Sequence, residues 1–219
     1  MKLFKKLIKI KGTNNQILSP KIKGNGFYDR SPVKIIGNNN VLNIHPNNQF
    51  YKLEIIINGS DNSISIDEGC WGSLKIIVDT NNTQVKIGKG CIFRGTECGL
   101  WERESSLTLG DEVMAAKDTR LYVSDFHSII DINSMNAINQ GKEITIGNHV
   151  WLGERVMVLK NNTIADDVIV AAGSIVTKDL TESHSIYAGN PARLVKSDVT
   201  WAEDKFDTYQ AKKKANSQV

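Results

Sequence analysis

From residue 146 onward an aliphatic side chain stands at every sixth position: Ile146, Leu152, Val158, Ile164, Val170 and Val176. Ile, Leu and Val make up about a quarter of the chain, so six consecutive hits at one fixed register are expected about once in four thousand tries. The neighbours keep the same beat. The next position is small at Gly147, Gly153, Ala165 and Ala171, and the fourth is β-branched or small at Val150, Val156, Val168 and Ser174. A period of six fits neither a helix nor an alternating hairpin. It fits a parallel β-helix, in which short strands turn a corner every six residues and three of them close a coil. The inward aliphatics of successive coils then stack as a ladder.

Upstream the beat loosens. Ile66, Ile87, Leu109 and Ile130 are separated by 21, 22 and 21 residues, one coil plus a few residues bulging at a corner. On the same spacing Ile36, Ile57 and Val78 open segments rich in Asn and Gly, which suit the left-handed backbone of tight turns. Cys70 and Cys91 lie four residues after Ile66 and Ile87, as Val113 does after Leu109, and are expected to be small stacked core residues. Between Ile130 and Ile146 the polar stretch DINSMNAINQGKEIT is too long for a corner, and a projecting loop is predicted at about 131–144. After Val176 the pattern fades. Ser197 or Asp198 is expected to cap a helix with Val199, Ala202, Phe206 and Tyr209 on one face, covering an open end or side of the stack. The expected division is a β-helix over 1–196 and a helix with its tail over 197–219, and the length allows about eight or nine coils.

Composition agrees with strands and turns: 26 Ile and 15 Val against 14 Leu, and 21 Asn and 17 Gly against 4 Pro. The net charge of +3 is too small to point to nucleic acid. Three cysteines, Cys70, Cys91 and Cys98, cannot all pair, and without a CxxC free thiols are expected. Neither a membrane span nor the apolar core of a signal peptide is visible, which predicts a cytoplasmic protein. Two basic runs remain. Lys212, Lys213 and Lys214 lie near the end; Lys2, Lys5, Lys6, Lys9 and Lys11 alternate with Leu3, Phe4, Leu7, Ile8 and Ile10. The first run suits either an anionic membrane surface, placing the protein at its inner face, or a terminal element capping the core.

Five segments carry a resemblance: LGDEV (109–113), SDFHSI (124–129), INQGKEITIGNHVWLGERVMVLK (138–160), IADDVIVAAGSIVTKD (164–179) and YAGNPARLVK (187–196). Together they resemble the hexapeptide-repeat acyltransferases, and most of all the bacterial O-acetyltransferases of capsular and other surface polysaccharides, including polysialic acid. The resemblance implies an all-β, left-handed parallel β-helix with a projecting loop and a short C-terminal helix. It also implies a homotrimer with sites between subunits, acetyl-CoA as cosubstrate, a glycan acceptor and no metal. The first 108 residues match only as irregular repeats.

Acetyl transfer from a thioester to a hydroxyl needs a general base, donors for an oxyanion and a groove for CoA. Of four histidines, His45, His149 and His184 read as surface or turn residues. His127 lies in SDFHSI just before the loop, at the position matching the family's base. Asp125 is two residues away, on the same side in an extended segment, and is expected to orient the imidazole, to contact the cofactor or simply to cap a turn. By similarity Trp151 flanks the thioester and directs an N–H at the oxyanion or pantetheine; its plain alternative is packing across a subunit interface. Gly153 allows close backbone approach in the same wall. No GxxxxGK loop is present, so a groove of small residues including Ala171 and Ser174 is expected to take pantetheine. Lys160, Thr177, Lys178 and Arg193 are assigned to the phosphates, each with a solvated surface residue as the alternative.

Three competing functions remain open at this stage. N-acetylation of a nucleotide-linked amino sugar uses the same fold and base. A β-helical carbonic anhydrase needs three converging histidines, and only His149 lies within a coil of His127. A non-catalytic solenoid needs neither His127 nor a CoA groove.

Overall fold

A computed structural model describes residues 8–18 and 32–216. The first-run residues up to Leu7 lie outside the described residues. The chain winds as a parallel β-helix whose strands stack coil on coil, in one sheet of seven strands and one of thirteen that wraps two faces. The first face carries Gln16–Leu18, Val41–Ile44, Ser63–Ile66, Gln84–Ile87, Ser106–Leu109, Glu143–Ile146 and Asn162–Ile164. Seven first-face strands among the described residues are fewer than the eight or nine coils that length allows, because the loop and the C-terminal segment consume chain without adding rungs.

All six residues of the six-residue ladder are buried, and so are the residues at its second position, Val150, Val156, Val168 and Ser174. Ile66, Ile87 and Leu109 stand on one another as the spacing predicted, but the next rung is Ile146 rather than Ile130. Ile130 is exposed in the loop, which is inserted between two rungs of the ladder. In the neighbouring column Ile35, not Ile36, pairs with Ile57 and then Val78. A strand alternates its side chains, so the one-residue difference puts Ile36 outside. Cys70, Cys91 and Cys98 are free and buried. The Cys70 contact and burial push the Cys91 thiol up, and burial does the same to Cys98.

Corners form where a residue takes the left-handed backbone. Between the third and first faces these are Asn14, Asn39, Asp61, Asn82 and Glu104; between the first and second they include Glu112, His149, Asp167 and His184. Asn and Asp tolerate this conformation best, and among the described residues eight of the fifteen left-handed non-glycine positions are Asn or Asp.

The C-terminal helix, Phe206–Asn216, starts later than Ser197 or Asp198. The intervening strap is anchored by tertiary bonds instead: the Ser197 hydroxyl donates to Glu182, and Val199 N–H donates to the His184 carbonyl at 2.9 Å. From 206 to 215 the helix is exposed, so in the single chain it does not cover the stack as expected. No helix among the described residues is long and apolar enough to cross a membrane.

Candidate active site

The segment after Arg120–Tyr122 leaves the stack at the corner between the third and first faces and rejoins it at Glu143–Ile146. Its two ends close tightly. A Cβ on Gly141 would meet the Val123 carbonyl oxygen at 2.1 Å, so only glycine fits that crossing. Within the loop Asp131 Oδ1 accepts the N–H groups of Asn133 and Ser134, at 3.1 and 2.7 Å, and Ile130 bridges Ala137.

His127 is exposed at the base of this loop, directly after Phe126, whose φ is +64°. Its backbone is held at both ends: His127 N–H donates to the Asp125 carbonyl at 2.7 Å, and Asn139 Nδ2 donates to the His127 carbonyl at 2.8 Å. Asn139 also donates to Asp125 Oδ2 at 2.9 Å, and its Oδ1 accepts Ile129 N–H at 2.8 Å. One asparagine thus fixes the turn that presents the imidazole. Asn139 was not singled out from sequence, because three asparagines in a polar loop all look like turn formers.

The Asp125 carboxylate is committed to Lys160 and Asn139 rather than to the imidazole. Hydrogen bonds from Lys160 and then Asn139 hold its carboxyl below the usual range. Lys160 in turn is largely covered, with 15% of its side chain exposed, so its charge is neutralised within the chain instead of standing free for a phosphate. Around the base of the loop, Trp101 packs against Phe126 and Tyr122, with ring centroids at 4.2 and 5.2 Å. Burial and a hydrogen bond to Glu97 push the Tyr122 hydroxyl up to about 12.

Trp151 opens a second-face strand, just past the corner between the first and second faces, and is 37% exposed. His127 and Trp151 therefore lie at opposite ends of the first face. Thr177 and Lys178 are exposed at the same corner as Lys160. Gly153, Ala171 and Ser174 are at the third corner, between the second and third faces. A Cβ on Gly153 would lie 2.6 Å from Ala172 N, so coil stacking already requires its bare backbone. Ser174 is buried and its Oγ accepts Gly189 N–H at 3.0 Å, which removes it from a groove wall. Arg193 is exposed on a strand that folds back antiparallel onto Ser185–Ala188. The predicted site residues are thus spread over three corners of one chain.

Two shallow cavities, of about 300 and 240 Å³, are lined by Asn47, Gln49, Gly69, Cys70 and Trp71, and by Asp118, Arg120, Arg155, Val156 and Met157. Neither contains a predicted site residue. Among the described residues no group of three His, Cys, Asp or Glu is arranged to hold a metal ion.

No protein-family model matches the chain. A polysialic acid O-acetyltransferase of Escherichia coli O1:K1 is 34% identical over 142 residues, 64% of this chain and 46% of the relative. The chain therefore spans about half the length of that protein. The polysialic acid O-acetyltransferase of Neisseria meningitidis is 26% identical over 195 residues, 89% of each chain. Among solved structures, the polysialic acid specific acetyltransferase NeuO superposes with a TM-score of 0.82 at 28% identity, covering 97% of this chain and 98% of that one. By sequence and fold the chain resembles the polysialic acid O-acetyltransferases. The match to NeuO makes the solenoid a left-handed β-helix and extends the likeness to the irregular N-terminal coils, where sequence motifs were silent.

Proposed function

We propose that the protein transfers acetyl from acetyl-CoA to a hydroxyl of a capsular or other surface polysaccharide, sialic acid polymers included. The observation that carries this reading is the near full-length likeness to NeuO combined with an exposed His127 on a rigidly hydrogen-bonded loop. Neutral His127 accepts the proton of the attacking hydroxyl, the oxygen adds to the acetyl carbonyl, and CoA thiolate leaves. Trp151 flanks the thioester. Lys178 and Arg193, with Thr177, remain exposed for the phosphates, and half-buried Ala171 contributes to the pantetheine wall.

A single chain keeps His127 and Trp151 on different corners, and a cyclic trimer supplies what is missing. In a heterologous ring two unlike patches meet at every interface, so the His127 corner of one copy faces the Trp151 corner of the next. Two features support such packing. The loop exposes Ile132 at 84% and Met135 at 72%, together with Phe126, Ile129 and Ile138. The outward column of the second face is apolar from Trp71 through Ile92, Met114, Trp151 and Ile169 to Ile186. A peripheral position at the inner face of a membrane suits the basic, apolar N-terminal run.

The test is thiol release from acetyl-CoA across a panel of capsular oligosaccharides, oligosialic acid included, with wild type and His127→Ala. The variant is expected to lose at least about a hundredfold in kcat. Acetyl removable by mild base identifies an ester, and an alkali-stable product identifies N-acetylation instead. Undiminished turnover in His127→Ala removes the mechanism. Sedimentation of the full chain at trimer mass supports the shared site, and a monomer that remains fully active overturns it.

A further inference from the structure

The first-to-second corner carries a built arrangement that the proposed chemistry does not use. His149, Asp167 and His184 occupy equivalent left-handed positions in three successive coils, with φ of +51°, +57° and +53°. Their side chains therefore stack along the axis. His149 Nδ1 lies 2.8 Å from Asp167 Oδ1, and His184 Nε2 lies 3.9 Å from Asp167 Oδ2. The strap between the last strand and the C-terminal helix crosses this column. Val199 N–H donates to the His184 carbonyl at 2.9 Å, and Trp201 Nε1 donates to the His149 carbonyl at 2.8 Å. The Trp201 indole lies flat on the His149 imidazole, centroids 4.4 Å apart and planes 7° from parallel. Its other neighbour is Trp151, at 6.1 Å and 49°, a separation at which aromatic rings attract.

Trp201 is thus fixed by a hydrogen bond and a stack, and it touches the one exposed indole assigned to the thioester. A side chain that is 37% exposed has several rotamers open to it unless a neighbour closes them off. We infer that Trp201 is a positioning residue for CoA, which sets the ring of Trp151 before the cosubstrate arrives. The strap is therefore part of the acetyl-donor site although it lies about fifty positions away in sequence. Asp167 acts one step further back, by holding the His149 imidazole on which Trp201 rests. This inference rests on the assignment of Trp151 to the donor site.

The experiment measures the Kd of the full-length protein for CoA, which needs no knowledge of the acceptor. Trp151→Ala, Trp201→Ala, Trp201→Phe and the Trp151→Ala/Trp201→Ala double variant are compared, with thermal midpoints recorded for each. Trp201→Ala is expected to weaken CoA binding about tenfold, the size of a lost aromatic contact with its hydrogen bond. Trp201→Phe keeps the stack and is expected to recover most of that loss even with a lowered midpoint. In the Trp151→Ala background, Trp201→Ala is expected to add nothing, because the ring it positions is gone. If Trp151→Ala weakens CoA binding and Trp201→Ala does not, the positioning role is overturned while the donor-site assignment stands. If the two effects simply add, the role is overturned as well. If Trp151→Ala leaves Kd unchanged, the donor-site assignment itself fails and takes the inference with it.

Discussion

The coils from Val33 to Leu109 and those from Glu143 to Ala188 are two solutions to the same stacking problem. In the first region first-face strands pair at intervals of 22, 21 and 22 residues, as in Val41 with Ser63, Ser63 with Gln84 and Gln84 with Ser106. Its second and third faces are joined by strands of 8 to 10 residues, such as Gln49–Asn58 and Trp71–Val78, that run straight through the corner with a local register shift. In the second region Ile144 pairs with Asn162 at 18 residues, and strands shorten to two to four residues with a tight turn at every corner. The price of the longer coils is polar backbone inside the corner, and a buried ladder answers it. Asn40 Nδ2 donates to Asn15 Oδ1 and Asn62 Nδ2 to Asn40 Oδ1, while Thr83 donates to Asn62 Oδ1 from both N–H and hydroxyl, all at 2.9 to 3.0 Å. The regular coils use local bonds instead: Asn162 Nδ2 donates to the Leu159 and Lys160 carbonyls within its own corner, at 2.7 and 2.9 Å, and the Ser174 hydroxyl accepts Gly189 N–H. The proposed chemistry sits where the two regions meet, at the loop, and along the regular coils.

Removing the ladder is the severest way to test this contrast. Asn62→Ala leaves the Thr80 carbonyl and the Thr83 donors without their partner and leaves Asn40 Oδ1 only the backbone N–H of residue 62, and is expected to cost about 3 kcal/mol in denaturant unfolding. Gly153→Ala forces a methyl against the Ala172 backbone and is expected to cost about 2 kcal/mol by the same measurement. Ser174→Ala removes one bond to one backbone N–H, and about 1 kcal/mol is expected. A loss from Ser174→Ala equal to that from Asn62→Ala would mean that the two regions do not differ in their dependence on buried polar bonds.

The smallest effect belongs to the loop. Lys160 and Asn139 depress the Asp125 carboxyl, so the folded state binds a proton less readily than the unfolded one. The contribution is complete above the ordinary carboxylate value of about 3.9 and is lost as pH falls through the depressed value. The pair is partly solvated, so the effect on global stability is expected to stay below about 1 kcal/mol. The protection factor of the Ile129 amide, whose N–H is bonded to Asn139, should fall at low pH in wild type. Asp125→Asn should lower it already at neutral pH and flatten that dependence.

Much of the solenoid was legible because a stacked ladder imposes a short period directly on the sequence. Ile146 through Val176 could be placed inside from spacing alone, and all six are buried. Where coils are irregular the period blurs by one residue, which is enough to exchange Ile36 for Ile35, and the inserted loop moves the rung after Leu109 from Ile130 to Ile146. His127 was singled out by its motif, and it stands exposed at the base of the loop. Asn139, which holds the His127 turn, was not singled out, since its three contacts depend on how the loop folds back.

The sequence by itself determined the parallel coil, its buried aliphatic columns and the place of the loop, because each follows from the identity of residues at fixed intervals. Only the tertiary structure decided what each polar side chain is bonded to. It gave Lys160 to Asp125, took Ser174 out of the groove and laid Trp201 on His149 beside Trp151. Those outcomes depend on which corners the winding brings together, and the pitch of a coil, not the spacing of its residues, sets that.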